Sequence, residues 1–313
     1  MNAVGRSANT AGLNARRKVD GILLLDKPRG ITSNRALQMA KRLFDAEKAG
    51  HTGSLDPLAT GLLPICFGEA TKIAGYLLGS CKAYEAECRL GITTDTDDAE
   101  GAVTGEREVP PLDDDAIRAR LSKLTGCITQ VPPAYSALKQ QGVALYKRAR
   151  RGEAVSAPPR EVEVHRFELI ERLDNDRMRL HVECGSGTYV RSLVRDLGVA
   201  LGCGAHLTAL RRLWIAPFLA PRMFTLEQLE STREEKGFAG LDDCLLPLEA
   251  GLADWPVLPV ADDERDALAH GRRIASGAAP GRYRVHAGDG RLLALVEADG
   301  REAKVARGFA GTH

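Results

Sequence analysis

The sequence lacks the features that would place it in several common classes of protein. It has no apolar run near the roughly eighteen residues that a membrane-spanning helix needs, so we expect no membrane association. Its seven cysteines include no Cys-x-x-Cys pair and make an odd number. This pattern argues against a disulfide framework and against a cysteine-based zinc site. We therefore expect reduced thiols and a cytoplasmic location.

An excess of charge of one sign is also missing. The chain has 43 Lys and Arg against 42 Asp and Glu, a formal net charge of +1, so overall charge does not indicate a nucleic-acid partner. The distribution is uneven, however, and residues 139–160, here called the basic stripe, hold six basic residues and one acid. Such a stripe suits contact with a polyanion, and an ordinary solvated helix face is the alternative. Its basic members are Lys139, Lys147, Arg148, Arg150, Arg151 and Arg160.

The ends of the chain differ from its middle. Residues 1–19 are small, polar and basic without an apolar segment, which predicts a disordered basic arm and not a secretory signal. A boundary is expected near 248–256. Beyond it, short strand patterns with Asp-Gly turns at 289–290 and 299–300 predict a small β-rich domain at 251–313. The larger domain then spans 20–250.

Strand and helix patterns are mixed irregularly within the larger domain. The apolar run 22–25 predicts a buried strand, Thr32 or Ser33 can cap the helix that follows, and residues 84–90 alternate as a half-buried strand does. Thr188 is the expected N-cap of a helix with a buried stripe from 190 to 201. Because hairpin signals accompany these elements, we expect an α+β fold and not a doubly wound parallel sheet.

The stretch GHTGSLDPLATG, residues 50–61, places a carboxylate in an apolar setting. Asp56 lies between Leu55 and Pro57, and the loss of hydration there would raise its pKa. A nearby guanidinium would keep the group ionised, and Arg191 is a candidate for that role. An ionised, poorly hydrated carboxylate is a good nucleophile or base. The alternative for an Asp-Pro in a loop is a turn residue.

Other polar and aromatic residues have two interpretations each. Tyr84 falls on an inward strand face, where its ring either belongs to the core or stacks on a nucleobase. His51 could cap locally, bind a metal or act as an inserted wedge, but no second ligand stands at metal-binding spacing. The acids Asp95, Asp97 and Asp98 lack the EF-hand pattern, so we expect them in a solvated loop.

Six motifs follow one another in the first 250 residues. They are DKPRGITSN (26–34), GHTGSLDPLATGLLPICFGEATKI (50–73), YEAECRLGITTDTDDAEG (84–101), QVPPAYSALKQQGVALYKRARRGE (130–153), GSGTYVRSLVRDLG (185–198) and HLTALRRL (206–213). In this order and approximate spacing, they resemble the bacterial tRNA pseudouridine-55 synthases, the TruB family. The resemblance covers about residues 20–250. The C-terminal part is similar, more loosely, to a PUA-type RNA-binding domain.

The resemblance implies a fold and a reaction. The fold would have a mixed, largely antiparallel central sheet flanked by helices, with an inserted RNA-clasping thumb at about 130–155. The reaction would convert the uridine at position 55 in the T loop of tRNA to pseudouridine. The base is flipped out, the glycosidic bond breaks, the uracil turns, and its C5 rejoins C1′. This chemistry needs no cofactor or metal, and the partner is the T arm of tRNA.

Active-site roles also follow from the resemblance alone. The family's essential aspartate falls on Asp56, the tyrosine that stacks on the flipped uracil falls on Tyr84, and a second tyrosine falls on Tyr189. The arginine paired with the aspartate falls on Arg191, and an apolar pocket residue falls on Leu210. The aspartate would attack C1′, abstract a ribose proton or add to C6 of the base, and the residues do not choose among these routes.

Contacts with RNA are expected at further positions. The histidine that fills the space left by flipped-out bases falls on His51, and two lysines of the family's motifs fall on Lys27 and Lys72. Within the thumb, the basic stripe supplies Lys147, Arg148, Arg150 and Arg151. Nothing in the sequence indicates an obligate protein partner or more than a monomer. The rival hypothesis is a tRNA-binding or tRNA-folding module without catalysis.

Overall fold

The structure is a computed structural model that describes residues 15–309, apart from positions 137, 141, 150, 152, 154 and 156. Its strands are β1 (Gly21–Lys27), β2 (Ala49–His51), β3 (Thr60–Phe67), β4 (Lys82–Leu90), β5 (Ile92–Thr94), β6 (Val103–Glu106), β7 (Gly126–Gln130), β8 (Lys139–Gln140), β9 (Val143–Ala144), β10 (Arg160–Arg172), β11 (Arg177–Cys184), β12 (Ala205–Ile215), β13 (Ile274–Ala275), β14 (Gly281–His286), β15 (Leu292–Ala298) and β16 (Glu302–Gly308). The α-helices are α1 (Ser33–Leu43), α2 (Ala74–Leu78), α3 (Asp114–Lys123), α4 (Leu145–Ala149), α5 (Val190–Ala200), α6 (Leu226–Asp242) and α7 (Asp262–Ala269), and single 3₁₀ turns lie at Gly68–Lys72 and Leu248–Leu252.

One large sheet organises the first 250 residues. Its strands run in the order β1-β3-β12-β4-β11-β10-β7, and β2 adds to β3 outside this path. Neighbouring strands are antiparallel except β12 and β3, which run parallel at Arg211↔Thr60 and Arg212↔Gly61. The prediction of a mixed, largely antiparallel α+β fold is therefore confirmed.

Helices cover this sheet, and hydrophobic clusters lie between the helices and the strands. The inward side chains of β4, β10 and β11 pack with α3 and α5, because their alternating pattern puts apolar residues on one face. At the other end of the sheet, α1 and α6 cover β1 and β3. The strand β12 lies between these two halves and borders both β3 and β4. Residues on β12 are thus placed between the loop before β3 and the inward face of β4.

Local capping signals account for the start of α1 but not for the start of α5. The Thr32 hydroxyl accepts a hydrogen bond from the Arg35 N–H (3.1 Å) and caps α1. The expectation that Thr188 caps α5 is wrong, because the N-cap position is occupied by Tyr189, which makes no side-chain cap bond. The backbone of Tyr189 is instead held by Gln130 from β7, and this tertiary contact replaces the local cap.

The segment 131–159 leaves the sheet after β7 and returns at the start of β10, next to the point where it left. Strands β7 and β10 are antiparallel neighbours that pair Gln130 with Arg160. Everything between these two residues is therefore an insertion into what would otherwise be a hairpin. Its described part includes the two-residue strands β8 and β9, which pair with each other, and helix α4.

The C-terminal part forms a separate small sheet in the order β13-β16-β15-β14. Its own core includes Leu268 of α7 together with Val285 and Val296. It also packs on the larger part, because Leu295 belongs to one cluster with Ile22 and other residues of β1 and β3. The expectation of a β-rich C-terminal domain is thereby confirmed.

Candidate active site

The loop between β2 and β3 carries Asp56 and is fixed on both of its sides. Ser33, at the start of α1, accepts a hydrogen bond from the Leu55 N–H (2.7 Å) and donates one to the Leu55 carbonyl (3.0 Å). The side chains of Leu55 and Leu58 are buried in the cluster under the sheet. With its apolar neighbours anchored in this way, the Asp56 side chain keeps 45% of its surface exposed and lines an open cleft.

Arg191 meets Asp56 at the floor of the cleft. Its Nε lies 3.0 Å from a carboxylate oxygen of Asp56, and its side chain is only 6% exposed. The Nη1 group lies 3.3 Å from Asp98 and donates to the Thr96 carbonyl, while Nη2 donates to the Tyr135 carbonyl (3.0 Å). A buried guanidinium whose Nη1 and Nη2 groups are hydrogen-bonded to backbone carbonyls presents a fixed positive charge to Asp56.

Opposing influences act on the pKa of Asp56. Desolvation in the walls of the cleft raises it, and this effect is the largest. The charge of Arg191 lowers it, the charge of Asp98 raises it, and the more distant Lys27 lowers it. The net direction is upward from the ordinary value of 3.8. The prediction that an apolar setting raises this pKa while Arg191 opposes the rise agrees with the geometry.

The expectation of a solvated loop is wrong for Asp97 and Asp98, whereas Asp95 is exposed as expected. Asp98 is buried at 4% exposure, pairs with Arg191 and accepts hydrogen bonds from the Thr96 hydroxyl (2.7 Å) and the Glu100 N–H (3.0 Å). Asp97 pairs with Arg195 of α5 at 2.9 Å. The acids fold inward because α5 supplies a guanidinium for each, which compensates the loss of hydration.

Tyr84 lies beneath the Asp56 loop and is largely covered. It is 8% exposed and belongs to one hydrophobic cluster with Leu55, Leu58 and Leu210. Burial raises the pKa of its hydroxyl, and the guanidinium of Arg212 opposes this rise through its charge and its N–H donors. The charge of Asp56 also reaches the phenol and raises its pKa. The structure therefore brings Asp56, Tyr84 and Leu210 together.

Tyr189 stands at the N-terminus of α5, two residues before Arg191. Its N–H donates to the Gln130 side chain (2.8 Å), and that side chain donates back to the Tyr189 carbonyl (3.1 Å). The guanidinium of Arg160 lies 5.0 Å from the centre of the Tyr189 ring, a cation–π arrangement. Gln130 and Arg160 are the paired residues at which the insertion leaves and rejoins the sheet.

The cleft above Asp56 has a volume of about 590 Å³, within the range of roughly 300–1,000 Å³ typical of small-ligand sites. His51 lines it from the end of β2, half-buried, and burial together with the charge of Arg212 lowers the pKa of its imidazole. The imidazole of His51 is therefore neutral at physiological pH. Tyr84 and Tyr189 lie below and beside the cleft and are not part of its open wall.

Two lysines expected at RNA are engaged within the protein. Lys27 is fully buried, and its ammonium donates to the carbonyls of Pro28 and Ile31, both at 2.8 Å. Burial lowers its pKa to about 8. Lys72 pairs with Glu69 (2.6 Å) and donates to the Gly308 carbonyl (3.0 Å) of the C-terminal sheet. These contacts favour a role for Lys27 in holding the turn at 28–31 and a role for Lys72 in holding the C-terminal sheet, over direct contact with RNA.

The basic stripe is only partly visible. Arg148 forms an ion pair with Glu153 at 2.6 Å, and Arg151 is exposed. Arg150 and the side chain of Lys147 lie outside the described residues. Within the described ranges, no helix is long and apolar enough to cross a membrane, and no group of three or more His, Cys, Asp or Glu is arranged to hold a metal ion.

Three family profiles match the chain in succession. Residues 41–190 match the TruB family pseudouridylate synthase N-terminal domain, 191–253 match the tRNA pseudouridylate synthase B C-terminal domain, and 255–310 match the tRNA pseudouridine synthase II C-terminal domain. The tRNA pseudouridine synthase B of Xanthomonas axonopodis pv. citri (strain 306) is 56% identical over 288 residues, which cover 91% of this chain and 92% of that protein. The chain belongs to the TruB family of pseudouridylate synthases.

Other members of the TruB family match over similar lengths. The protein of the same name from Xylella fastidiosa (strain Temecula1 / ATCC 700964) is 57% identical over 286 residues, covering 90% of this chain and 93% of that protein. The one from Ectopseudomonas mendocina (strain ymp) is 50% identical over 292 residues, covering 92% and 95%. The chain is thus an enzyme of the pseudouridine synthase class, an isomerase, and the resemblance drawn from the six motifs is confirmed.

Solved structures support the same fold. The crystal structure of a Cbf5-Nop10-Gar1 complex contains a chain that aligns with a TM-score of 0.72 at 26% identity, covering 92% of this chain and 84% of that one. The archaeal box H/ACA sRNP Nop10-Cbf5 complex aligns at 0.70, also with 26% identity, covering 93% and 86%. Since the alignments extend over almost the whole chain, the TruB family member described here shares the fold from the first strand to the C-terminal sheet.

Three residues at this TruB-family site escaped the sequence reasoning. Asp98 was hidden in an acid run that has no helical or strand period. Gln130 ends a strand and gives no signal alone. Arg212 did leave a signal, because it has the same parity as the inward Leu210 along β12, so a charged residue falls on the buried face.

Proposed function

We propose that this TruB-family enzyme converts the uridine at position 55 in the T loop of tRNA to pseudouridine. The curated relatives at 50–57% identity are named tRNA pseudouridine synthase B, which supports tRNA as the substrate. The observation that carries the proposal is the ion pair of Asp56 with the buried Arg191, at 3.0 Å on the floor of a cleft of about 590 Å³. A uridine turned out of its loop would meet this carboxylate.

Asp56 is the reacting group in this proposal. Both acids beside Arg191 line the cleft, but Asp56 is the more accessible, with 45% of its side chain exposed against 5% for Asp98. Its carboxylate assists the break between C1′ and N1, either by attack on C1′, by removal of a ribose proton or by addition to C6. The uracil then turns, C5 joins C1′, and the proton on C5 is lost while N1 gains one, so the product is an isomer.

The base is held by Tyr84 with Tyr189 and Leu210 around it. Extruding a nucleotide from a folded loop costs on the order of a few kcal/mol, and one aromatic stack returns about 1–3 kcal/mol. Tyr84 is 8% exposed in the structure, so the uracil reaches its ring through the cleft next to Asp56. His51, neutral and half-buried at the cleft wall, fills the space that the extruded base leaves in the RNA.

The remaining RNA contacts fall on the insertion and the C-terminal domain. We take 130–155 as the thumb that clasps the T arm, since Gln130 and Arg160 pair at its base, and Lys147, Arg148, Arg150 and Arg151 as its phosphate contacts. Residues 20–250 form the catalytic domain, and 251–313 form a PUA-like RNA-binding domain. The enzyme acts as a cytoplasmic monomer that needs neither a cofactor nor an obligate protein partner. Of the basic arm expected at 1–19, residues 1–14 lie outside the described residues, while Arg17 pairs with Asp242 and the side chain of Val19 is buried.

The decisive experiment compares wild type with D56N on a T-arm transcript. Pseudouridine formation is followed under single-turnover conditions, and transcript binding is measured in parallel. We expect D56N to form no detectable pseudouridine while its dissociation constant changes by less than about threefold, because Asn keeps the shape but not the charge. The control is D115N, a surface acid on α3 with 95% of its side chain exposed, which should behave as wild type.

Two results would contradict the proposal in different ways. Substantial turnover by D56N would remove Asp56 as the reacting group. Binding of the transcript by wild type without any pseudouridine would favour the rival function, a tRNA-binding or tRNA-folding module. A transcript whose position 55 is changed to cytidine should bind without reaction, which tests the assigned position.

A further inference from the structure

Arg212 is an unusual residue for the interior of a protein. It is the largest of the fully buried side chains, at 1% exposure. Buried arginines are normally paired with a carboxylate, because an isolated charge is costly to remove from water. Among the described residues, the acidic group that influences the pKa of Arg212 is the phenol of Tyr84, and no carboxylate does so. A buried guanidinium without a carboxylate partner raises the question of which neighbouring groups it serves.

The contacts of Arg212 enclose the Asp56 loop. Its Nε donates a hydrogen bond to the Leu62 carbonyl (2.7 Å), and its Nη2 donates to the Gly53 carbonyl (3.3 Å). These two carbonyls stand on either side of Asp56 in the chain. One planar guanidinium therefore fixes both ends of the segment that presents the carboxylate, a geometry that a lysine ammonium cannot reproduce.

The same guanidinium faces Tyr84. Strand β12 is the antiparallel neighbour of β4, and the register pairs Arg212 directly with Tyr84. Both side chains are buried, and the charge and N–H donors of Arg212 act on the Tyr84 hydroxyl. Arg212 thus contacts the loop of Asp56 on one side and approaches the hydroxyl of Tyr84 on the other. No role was assigned to it by the sequence motifs.

We propose that Arg212 is a positioning residue for pseudouridine formation, whose guanidinium fixes the Asp56 loop and the Tyr84 ring in one mutual arrangement. The expected effect of Arg212 on rate rests on the proposed function. The contacts of Arg212 with the Asp56 loop and Tyr84 do not. Arg212 touches no part of the cleft wall, so it acts through these two residues and not on the substrate.

The rate test is a double-mutant cycle of R212M and Y84F on the T-arm transcript. We expect R212M to slow single turnover by about 100-fold, the order of loss that a 1 Å misplacement causes, with transcript binding within about threefold of wild type. In the Y84F background, the effect of R212M should shrink at least about tenfold, since the hydroxyl it acts on is gone. An equal loss in both backgrounds would overturn the coupling with Tyr84.

A matched control separates this effect from general damage. Arg211 is the preceding residue of β12, 40% exposed and paired with Asp26 at 2.7 Å. R211M should retain the wild-type rate within about threefold. A loss as large in R211M as in R212M would show that any arginine removed from β12 slows the enzyme, and would overturn the proposal.

A second readout does not need activity. Tyrosines are labelled with ¹³C at Cζ, and the Tyr84 resonance is assigned by its disappearance in Y84F. We expect it to shift in R212M relative to wild type at pH 7, and to stay in place in R211M. An unmoved resonance in R212M would overturn the contact. Absence of pseudouridine from the wild type would instead contradict the proposed function, while this spectrum still tests Arg212.

Loss of folding in R212M would be recognised by its unfolding curve. The turnover rate, the cycle with Y84F and the Tyr84 resonance are then measured with R212K, which keeps the charge and loses the planar guanidinium. We expect R212K to fold and to slow single turnover by about ten- to thirtyfold. It should shift the Tyr84 resonance less than R212M does, because it keeps the positive charge. A wild-type rate in R212K would overturn the role of the planar guanidinium in positioning.

Discussion

Arg191 lies 3.3 Å from Asp98 across the floor of the cleft, and both side chains are almost completely buried. The same guanidinium reaches Asp56 on its open side. Asp98 therefore holds the arginine that pairs with Asp56, the carboxylate proposed to react. The ion pair that sequence reasoning expected is one half of an arrangement of three charged groups.

The first prediction concerns D98N. Asn keeps an oxygen for the Thr96 hydroxyl and the Glu100 N–H but removes the charge that orients Arg191. We expect single turnover to fall by roughly ten- to a hundredfold, since small misplacements of a reacting group are costly, with little change in transcript binding. Quench-flow measurement of pseudouridine against time checks this. A wild-type rate would show that Arg191 needs no second carboxylate.

The second prediction concerns pH. The proposed reaction uses an ionised Asp56, so its rate should rise with pH until the carboxyl is deprotonated. The raised pKa of Asp56 places this rise above the ordinary value of 3.8. In D98N the rise should move to lower pH, because the Asp98 charge raises the pKa of Asp56. In R191Q the residual activity should show the rise at higher pH, because the Arg191 charge lowers that pKa. Shifts in the reverse directions would contradict this electrostatic assignment.

The third prediction concerns the basic stripe. Replacing Arg148, Arg150 and Arg151 by Gln should weaken transcript binding and reduce the slope of log affinity against log salt by up to about three. Because Arg148 already pairs with Glu153, it should contribute less to this slope than Arg150 or Arg151. Replacing the exposed Arg118 and Arg177 should leave the slope unaltered. An unchanged slope in the stripe variant would mean that the thumb does not contact phosphates.

The fourth prediction concerns stability where β3 meets β12. Gly61 has a φ of +95°, and a Cβ there would lie 2.2 Å from the Arg212 carbonyl oxygen. G61A should therefore lower the free energy of unfolding by more than about 2 kcal/mol, through backbone strain and collision. Urea denaturation measures this. The control is G75A in α2, where a Cβ meets nothing within 4 Å, and equal stability of the two variants would refute the argument.

Patterns of period two predicted several of the strands, and local motifs named Asp56 and Arg191 as a candidate ion pair. The alternation in 84–90 predicted the inward face that carries Tyr84, and the apolar neighbours of Asp56 predicted a poorly hydrated carboxylate that needs a cation. Both interpretations depend on short-range chemistry, which a sequence displays directly. The family resemblance added expected roles for Tyr189 and Leu210, which local patterns alone did not indicate.

What could not be predicted depends on which segments meet in space. Asp98 looked like a solvated acid because its compensating charge comes from α5, and Lys72 looked available because its partners include Gly308 of the C-terminal sheet. Lys27 belongs to a motif expected at RNA, yet its ammonium is used by carbonyls of its own turn. Charges are thus harder to assign than apolar residues, because burial of a charge depends on a distant partner.

The position of β12 in the sheet has a consequence for the order in which the enzyme is made. This strand is the last of the central sheet to leave the ribosome, yet it lies in the middle, between β3 and β4. A nascent chain that has reached residue 200 already contains Asp56, Tyr84 and Arg191, but the two halves of the sheet still lack the strand that joins them. Because β12 borders both β3 and β4, we expect the active site to be complete only after synthesis has passed residue 215.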